Sequence, residues 1–153
     1  MNLPPVAQLI PHSGNVILID EIVSFDKDTL VARAQIKQSG LFNQADGSLP
    51  AWLGLEIMAQ AVAAWAGCTA FSAGQPVKLG FLLGTRRYDC QVPAFVAGSD
   101  LTISVACSLQ DDAGIGTFDC QLHQSGHVVA SARLNAYSPP NVDDFIQEPP
   151  PNV

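Results

Sequence analysis

Val16 to Phe25 (VILIDEIVSF) is a run of apolar, largely β-branched side chains. Thr29 to Lys37 (TLVARAQIK), which follows, alternates polar and apolar residues from Ala32 on. Arg33, Gln35 and Lys37 are set against Ala32, Ala34 and Ile36, the period-two signature of a half-buried strand. Asp26-Lys27-Asp28 between the two runs reads as a hairpin turn. After a loop rich in turn formers (QSGLFNQADGS) the pattern changes. Pro50 to Gly67 is built from Ala, Leu, Met and other good helix formers, with Ser48 as the expected N-cap, Pro50 in the first turn and Gly67 as the stop. It is apolar nearly all round, which predicts a helix buried on every side. Strand patterns then return at Leu79–Cys90, Leu101–Leu109, Gly116–Gln124 and Val128–Tyr137, with hairpin signals at Asp111–Gly114 and Ser125-Gly126. Two strands, one buried helix and four further strands make an α+β plan, an antiparallel sheet curled around a long central helix. Such a sheet keeps an open edge, so a dimer is expected. The pattern predicts a single domain over residues 1–137 and, from five prolines in the last sixteen residues, an extended, flexible tail over 138–153.

Composition narrows the partners. Seven Lys and Arg against fourteen Asp and Glu give a net charge of −7. That balance excludes a phosphate backbone and argues against an anionic membrane surface. No apolar run reaches the ~18 residues of a spanning helix without a polar interruption. The first residues carry neither a basic region nor a long apolar one, so no signal peptide is expected and the predicted location is the cytoplasm. Cys68, Cys90, Cys107 and Cys120 form no CxxC pair, which speaks against zinc. No cofactor or metal is implied, and no glycine run has the strand–GxGxxG–helix setting of a dinucleotide site.

The chemistry is expected where a polar residue breaks an apolar pattern. The predicted helix holds two strongly polar side chains, Glu56 and Gln60, four apart and therefore on one face, with Trp52 a turn earlier. A carboxyl group in an apolar helix is costly unless it is paired or used, and such a group can serve as a general acid. The alternative is a carboxylate that merely reaches a cavity mouth or a dimer seam. His12, at the entrance to the first strand, reads as a structural hydrogen bonder or as a base. His123 and His127 flank a turn and are expected to face solvent. Arg86 and Arg87 form a small basic pair at a strand end, and Asp20 and Glu21 read as a turn or an ion pair.

These residues resemble a known family. Ile10-Pro11-His12 followed by Val16-Ile17-Leu18-Ile19-Asp20 is similar to the opening of the hotdog-fold 3-hydroxyacyl-carrier-protein dehydratases of the FabA/FabZ type. Pro50 to Gln60 (PAWLGLEIMAQ) is similar to their helix motif P-G-x-L-x-x-E-x-x-A-Q, with Glu56 and Gln60 in register. The resemblance spans roughly residues 9 to 137 and implies a helix wrapped in a sheet, dimerised so that acyl tunnels lie at the interface. It also implies 3-hydroxyacyl thioesters of acyl carrier protein as substrates. A His of one chain would remove the α-proton and an acid on the helix of the other would protonate the departing hydroxyl. Backbone N–H groups at the helix start would polarise the thioester carbonyl.

The chain also departs from that pattern. The family's His stands eight residues before the helix proline, and that position here is Phe42. No His lies between Ser13 and Leu122, and Ala51 replaces the motif glycine. An acid without the usual base looks most like the ApeP-like branch, the dehydratase-related subunits of aryl-polyene biosynthesis, which Leu83 to Tyr88 (LGTRRY) also resembles. This implies a heterodimer with a histidine-bearing hotdog partner, Glu56 serving the partner's His. Trp52, Ala51, Phe42 and Gln60 would line the substrate site. The alternatives are a homodimer with His12 as base, a hotdog thioesterase in which Glu56 acts on the thioester carbonyl, and a non-catalytic carrier-protein-binding subunit.

Overall fold

The computed structural model describes residues 3–11, 14–76 and 81–137. Within them lie two helices, α1 (Val6–Leu9) and α2 (Leu53–Ser72), one 3-10 turn (Gly14–Val16) and eight strands. The strands are β1 (Glu21–Phe25), β2 (Thr29–Gln35), β3 (Leu49–Pro50), β4 (Phe81–Cys90), β5 (Ala94–Phe95), β6 (Asp100–Gln110), β7 (Ile115–Gln124) and β8 (His127–Tyr137). Six of them form one antiparallel sheet in the order β1-β2-β6-β7-β8-β4, and β3 pairs with β5 in a separate two-stranded ribbon.

The alternation read in the sequence is what curls this sheet around α2. Leu30, Ala32 and Ala34 of β2, Leu101, Ile103 and Val105 of β6, Phe118, Cys120 and Leu122 of β7, and Ala130 and Leu134 of β8 are all buried. They pack on Leu53, Ile57, Met58, Ala61, Ala64, Trp65 and Cys68 of α2 in one continuous core. At about 1.5–3 kcal/mol for each large side chain taken from water, this packing is the main force holding sheet to helix. Trp65 meets the ring of Phe118 edge-on at 5.3 Å and donates its indole N–H to Lys27 O at 3.2 Å. The outward positions carry the charges. Arg33 pairs with Glu21 at 2.6 Å and Lys37 with Asp20 at 2.8 Å, so the ion-pair reading of Asp20 and Glu21 holds.

Four boundaries differ from the sequence reading. The helix starts at Leu53 instead of Pro50, because Leu49 and Pro50 are drawn into the ribbon with Ala94 and Phe95. Trp52, not Ser48, stands at the N-cap, and the buried Ser48 instead binds Asp46, donating its N–H and its hydroxyl to one carboxylate oxygen at 2.9 and 2.5 Å. Gly67 does not end the helix, which runs on to Ser72. A Cβ at Gly67 would collide with the backbone carbonyl of Leu9, so this glycine admits the crossing of α1 over α2. The apolar run from Val16 is strand only from Glu21, for a reason that lies in the site. At twenty residues α2 is long and apolar enough to cross a bilayer by length and composition, but it is the core helix of this sheet. Residues 138–153 and His12 lie outside the described residues.

Candidate active site

Glu56 lies in the first turn of α2 and is half-buried. Gln60, one turn on, is fully buried, and its amide bridges three groups. Its Oε1 accepts the N–H of Leu18 at 2.7 Å. Its Nε2 donates to Val16 O at 2.6 Å and to Glu56 Oε1 at 3.1 Å. The spacing of four that put the two residues on one face therefore becomes a direct hydrogen bond. It also explains the short first strand, since Val16 and Leu18 give their backbone groups to a helix side chain and not to a neighbouring strand. The apolar segment that follows His12 in the chain is thereby tied to the turn of α2 that carries Glu56.

The start of α2 is held from the opposite side. Trp52 makes no side-chain cap, and its indole is 66% exposed one turn before Glu56. Ala51 is half-buried, and its carbonyl accepts two donors, the N–H of Gly54 at 3.0 Å and the hydroxyl of Tyr88 at 2.6 Å. Tyr88 comes from β4, where it faces the core opposite Ala132, and burial pushes its phenol well above the usual range. The sequence gives neither Tyr88 nor Gly54 a role at the site: Tyr88 enters only as the end of the LGTRRY stretch, and Gly54 only as a glycine placed early in a helix, where glycine is a poor former.

Phe42 is half-buried and packs on the core from the loop that precedes β3. That loop is closed by Asn43, whose Nδ2 donates to Lys37 O at 2.9 Å and Gly47 O at 2.8 Å. At its end, the hydrogen bonds from Ser48 hold the Asp46 carboxyl below the usual carboxylate range. The structure thus joins Glu56 to Gln60, leaves Trp52 exposed at the N-cap a turn before Glu56, and ties Ala51 to Tyr88. His127 is exposed at the turn, as expected, but His123 is half-buried against β6, its Nε2 3.3 Å from the Ser104 hydroxyl, and does not simply face solvent. Arg87 pairs with Asp89 at 2.7 Å. The four cysteines are free thiols, and burial pushes Cys68 up to about 11 and Cys120 to about 12, which leaves both unreactive near neutral pH. Among the described residues no three His, Cys, Asp or Glu side chains converge to hold a metal ion.

What this arrangement offers is one carboxyl group, oriented by an amide on the first turn of a buried helix, able to give or take a single proton. Comparison with known proteins gives it a setting. A family model described as ApeP-like, ApeP dehydratase, matches residues 4–147. The 3-hydroxyacyl-[acyl-carrier-protein] dehydratase FabZ of Vibrio atlanticus (strain LGP32) is 29% identical over 140 residues, which cover 88% of this chain and 91% of that protein. The dehydratase heterocomplex ApeI:P from Xenorhabdus doucetiae contains a chain 31% identical to this one, matched over 96% of this chain and 100% of that chain with a TM-score of 0.86. The E. coli PaaI protein from the phenylacetic acid degradation operon shares the fold, with a TM-score of 0.59 at 16% identity over 76% of this chain and 81% of that one. The helix-in-sheet architecture is the hotdog fold.

Proposed function

The chain belongs to the ApeP-like dehydratase family, and from that premise we propose that it is the acid-bearing subunit of a cytoplasmic 3-hydroxyacyl-carrier-protein dehydratase. Glu56 is the general acid in this reading, and the base is a histidine on a hotdog partner chain. The observation that carries it is the hydrogen bond from Gln60 to Glu56. A carboxyl group is placed on an otherwise apolar buried helix and its orientation is fixed by a fully buried amide.

In the reaction the partner's histidine takes the proton from the carbon next to the thioester carbonyl. The electrons of that C–H bond form the new double bond, and the carbon–oxygen bond to the 3-hydroxyl breaks. Glu56 supplies the proton with which the hydroxyl leaves as water. The two proton transfers occur on different groups of the substrate, so a base and an acid contributed by different chains can serve one site. Backbone N–H groups at the start of α2 are suited to polarise the thioester carbonyl. Trp52 and Phe42 are apolar surfaces for the acyl chain on either side of the β3 entrance to the helix. The FabZ relationship supports the thioester class, and the ApeI:P heterocomplex supports a separate partner chain.

The test is turnover of short 3-hydroxyacyl carrier-protein thioesters followed by intact mass, with this chain alone and with a histidine-bearing hotdog partner. The expected result is silence alone, loss of one water from the substrate in the assembled pair, and a fall of about 10²–10⁴ with Glu56→Gln. Turnover by this chain alone would transfer the base to His12 in a homodimer. Release of free acid would make the protein a thioesterase, and an unaffected Glu56→Gln variant would leave it a non-catalytic subunit.

A further inference from the structure

We infer that Tyr88 is a positioning residue for this chemistry: from β4 it holds the carbonyl of Ala51 and so sets the first turn of α2, which carries Glu56. The inference rests on the reading of Glu56 as the acid.

The argument begins with how α2 starts. A helix leaves its first N–H groups without intrahelical partners, and a side-chain cap normally fixes that turn. Here the N-cap residue is Trp52, which makes no side-chain cap bond. Ser48, the capping residue the sequence offers, has its hydroxyl committed to Asp46. Gly54 and Leu55 close their N–H groups back on Ala51 O and Trp52 O at 3.0 and 3.2 Å, and Ala51 O, just before the helix, also receives the Tyr88 hydroxyl at 2.6 Å across thirty-seven positions of sequence. One turn beyond, Gln60 grips Glu56 from the other side and is itself anchored on Val16 and Leu18. The acid therefore sits between two anchors, one on the chain's opening segment and one on an edge strand of the sheet.

Gly54 shows that the hydroxyl, and not merely the ring, is what the site is built around. A Cβ at Gly54 would collide with Tyr88 Oη, while Leu122 Cδ1 and Phe95 Cζ would each lie 3.0 Å away. The chain thus keeps a poor helix former in the first turn of its core helix and leaves room there for a phenolic oxygen. Phenylalanine would fill the same apolar space without the donor. Burial keeps the phenol protonated, so it donates at every pH at which the protein is assayed. Because β4 is an edge strand, a chain added to that edge would share this reference with Glu56. A misplacement of the order of 1 Å in a reacting group can cost about a hundredfold in rate, so an anchor of this kind acts on kcat.

The experiment uses the active pair of chains and three variants, Tyr88→Phe, Gly54→Ala and the double variant, beside Glu56→Gln. Tyr88→Phe is expected to lower kcat about tenfold, to leave KM within about twofold, and to leave the limbs of the pH profile in place. Gly54→Ala, which displaces the hydroxyl without removing it, is expected to lower kcat as well. The double variant should recover part of that loss, because the oxygen against which the new methyl collides is gone. Full kcat in Tyr88→Phe, or a loss carried by KM or by failed assembly alone, overturns the positioning role. If Tyr88→Phe does not fold, Gly54→Ala decides by itself, since its methyl meets the hydroxyl while the tyrosine is kept: an unchanged kcat overturns the inference. Glu56→Gln separates the two readings. Should it stay active, the acid assignment fails and the inference with it. If it is inactive while Tyr88→Phe is unimpaired, only the role of Tyr88 falls.

Discussion

Gln60 uses both amide hydrogens and its oxygen inside the protein, on Val16 O, Glu56 Oε1 and Leu18 N–H. Its position one turn after a carboxylate was plain in the sequence, because polar residues four apart in an apolar helix must share a face. Its anchor was not plain, since nothing local marks Val16 and Leu18 as the backbone groups it would reach across more than forty positions. The loss of a side chain so engaged should appear first as instability. Gln60→Leu keeps the volume and removes three hydrogen bonds, leaving a backbone N–H and a carbonyl without their partner in a part-buried setting. At about 1–3 kcal/mol for each of the two unsatisfied groups, the variant should lose about 2–6 kcal/mol. A denaturant titration in which the midpoint falls and the slope holds would confirm it, whereas an unchanged midpoint would show that the clamp contributes nothing.

The elements themselves were legible wherever one face is core and the other is solvent. β2 buries Leu30, Ala32 and Ala34 while Arg33 and Gln35 stay exposed, and β6 and β7 keep the same alternation around Leu101, Ile103, Phe118, Cys120 and Leu122. What escaped was set by tertiary contact. The ribbon of β3 and β5 pairs residues more than forty positions apart, and α1 is a single turn that exists because it packs on α2. In the helix, Gly67 carries a local stop signal that the fold overrides. The same position yields a prediction whose sign is decided by magnitude. Alanine inside a helix is worth about 1 kcal/mol over glycine. A Cβ at Gly67, however, would strike the backbone of Leu9, which cannot turn aside as a side chain can, and overpacking of this kind costs about 1–3 kcal/mol or more. Gly67→Ala should therefore destabilise the protein on balance, by roughly 1–2 kcal/mol. Thermal unfolding reads this directly, and a rise in Tm would mean that α1 moves away freely.

At the scale of the whole molecule the sheet has two ends, and they differ in what they can accept. β1 is five residues long, carries Glu21 and is followed by Asp26 and Lys27. Leu3 to Val6 stand alongside it, lining with it a cavity of about 690 Å³. Short strands, charges and covering segments are how proteins blunt an edge against further pairing. β4 is ten residues long, pairs only with β8 in this sheet, and carries Tyr88, whose hydroxyl is bonded to Ala51 O just before α2. The ion pairs Arg33–Glu21, Lys37–Asp20, Arg87–Asp89 and Arg133–Asp119 are solvent-exposed and worth about 0–1 kcal/mol each, whereas an open strand edge offers a second chain a row of backbone donors and acceptors. The partner is therefore expected on β4. Amide hydrogen exchange tests this without altering a residue: on adding the histidine-bearing partner, amides of Phe81–Cys90 should slow by at least about tenfold while those of Glu21–Phe25 keep their rates. Protection of β1 with β4 unchanged would place the second chain at the far end of the sheet, away from the strand that carries Tyr88, and the proposed site shared across the interface would then need another geometry.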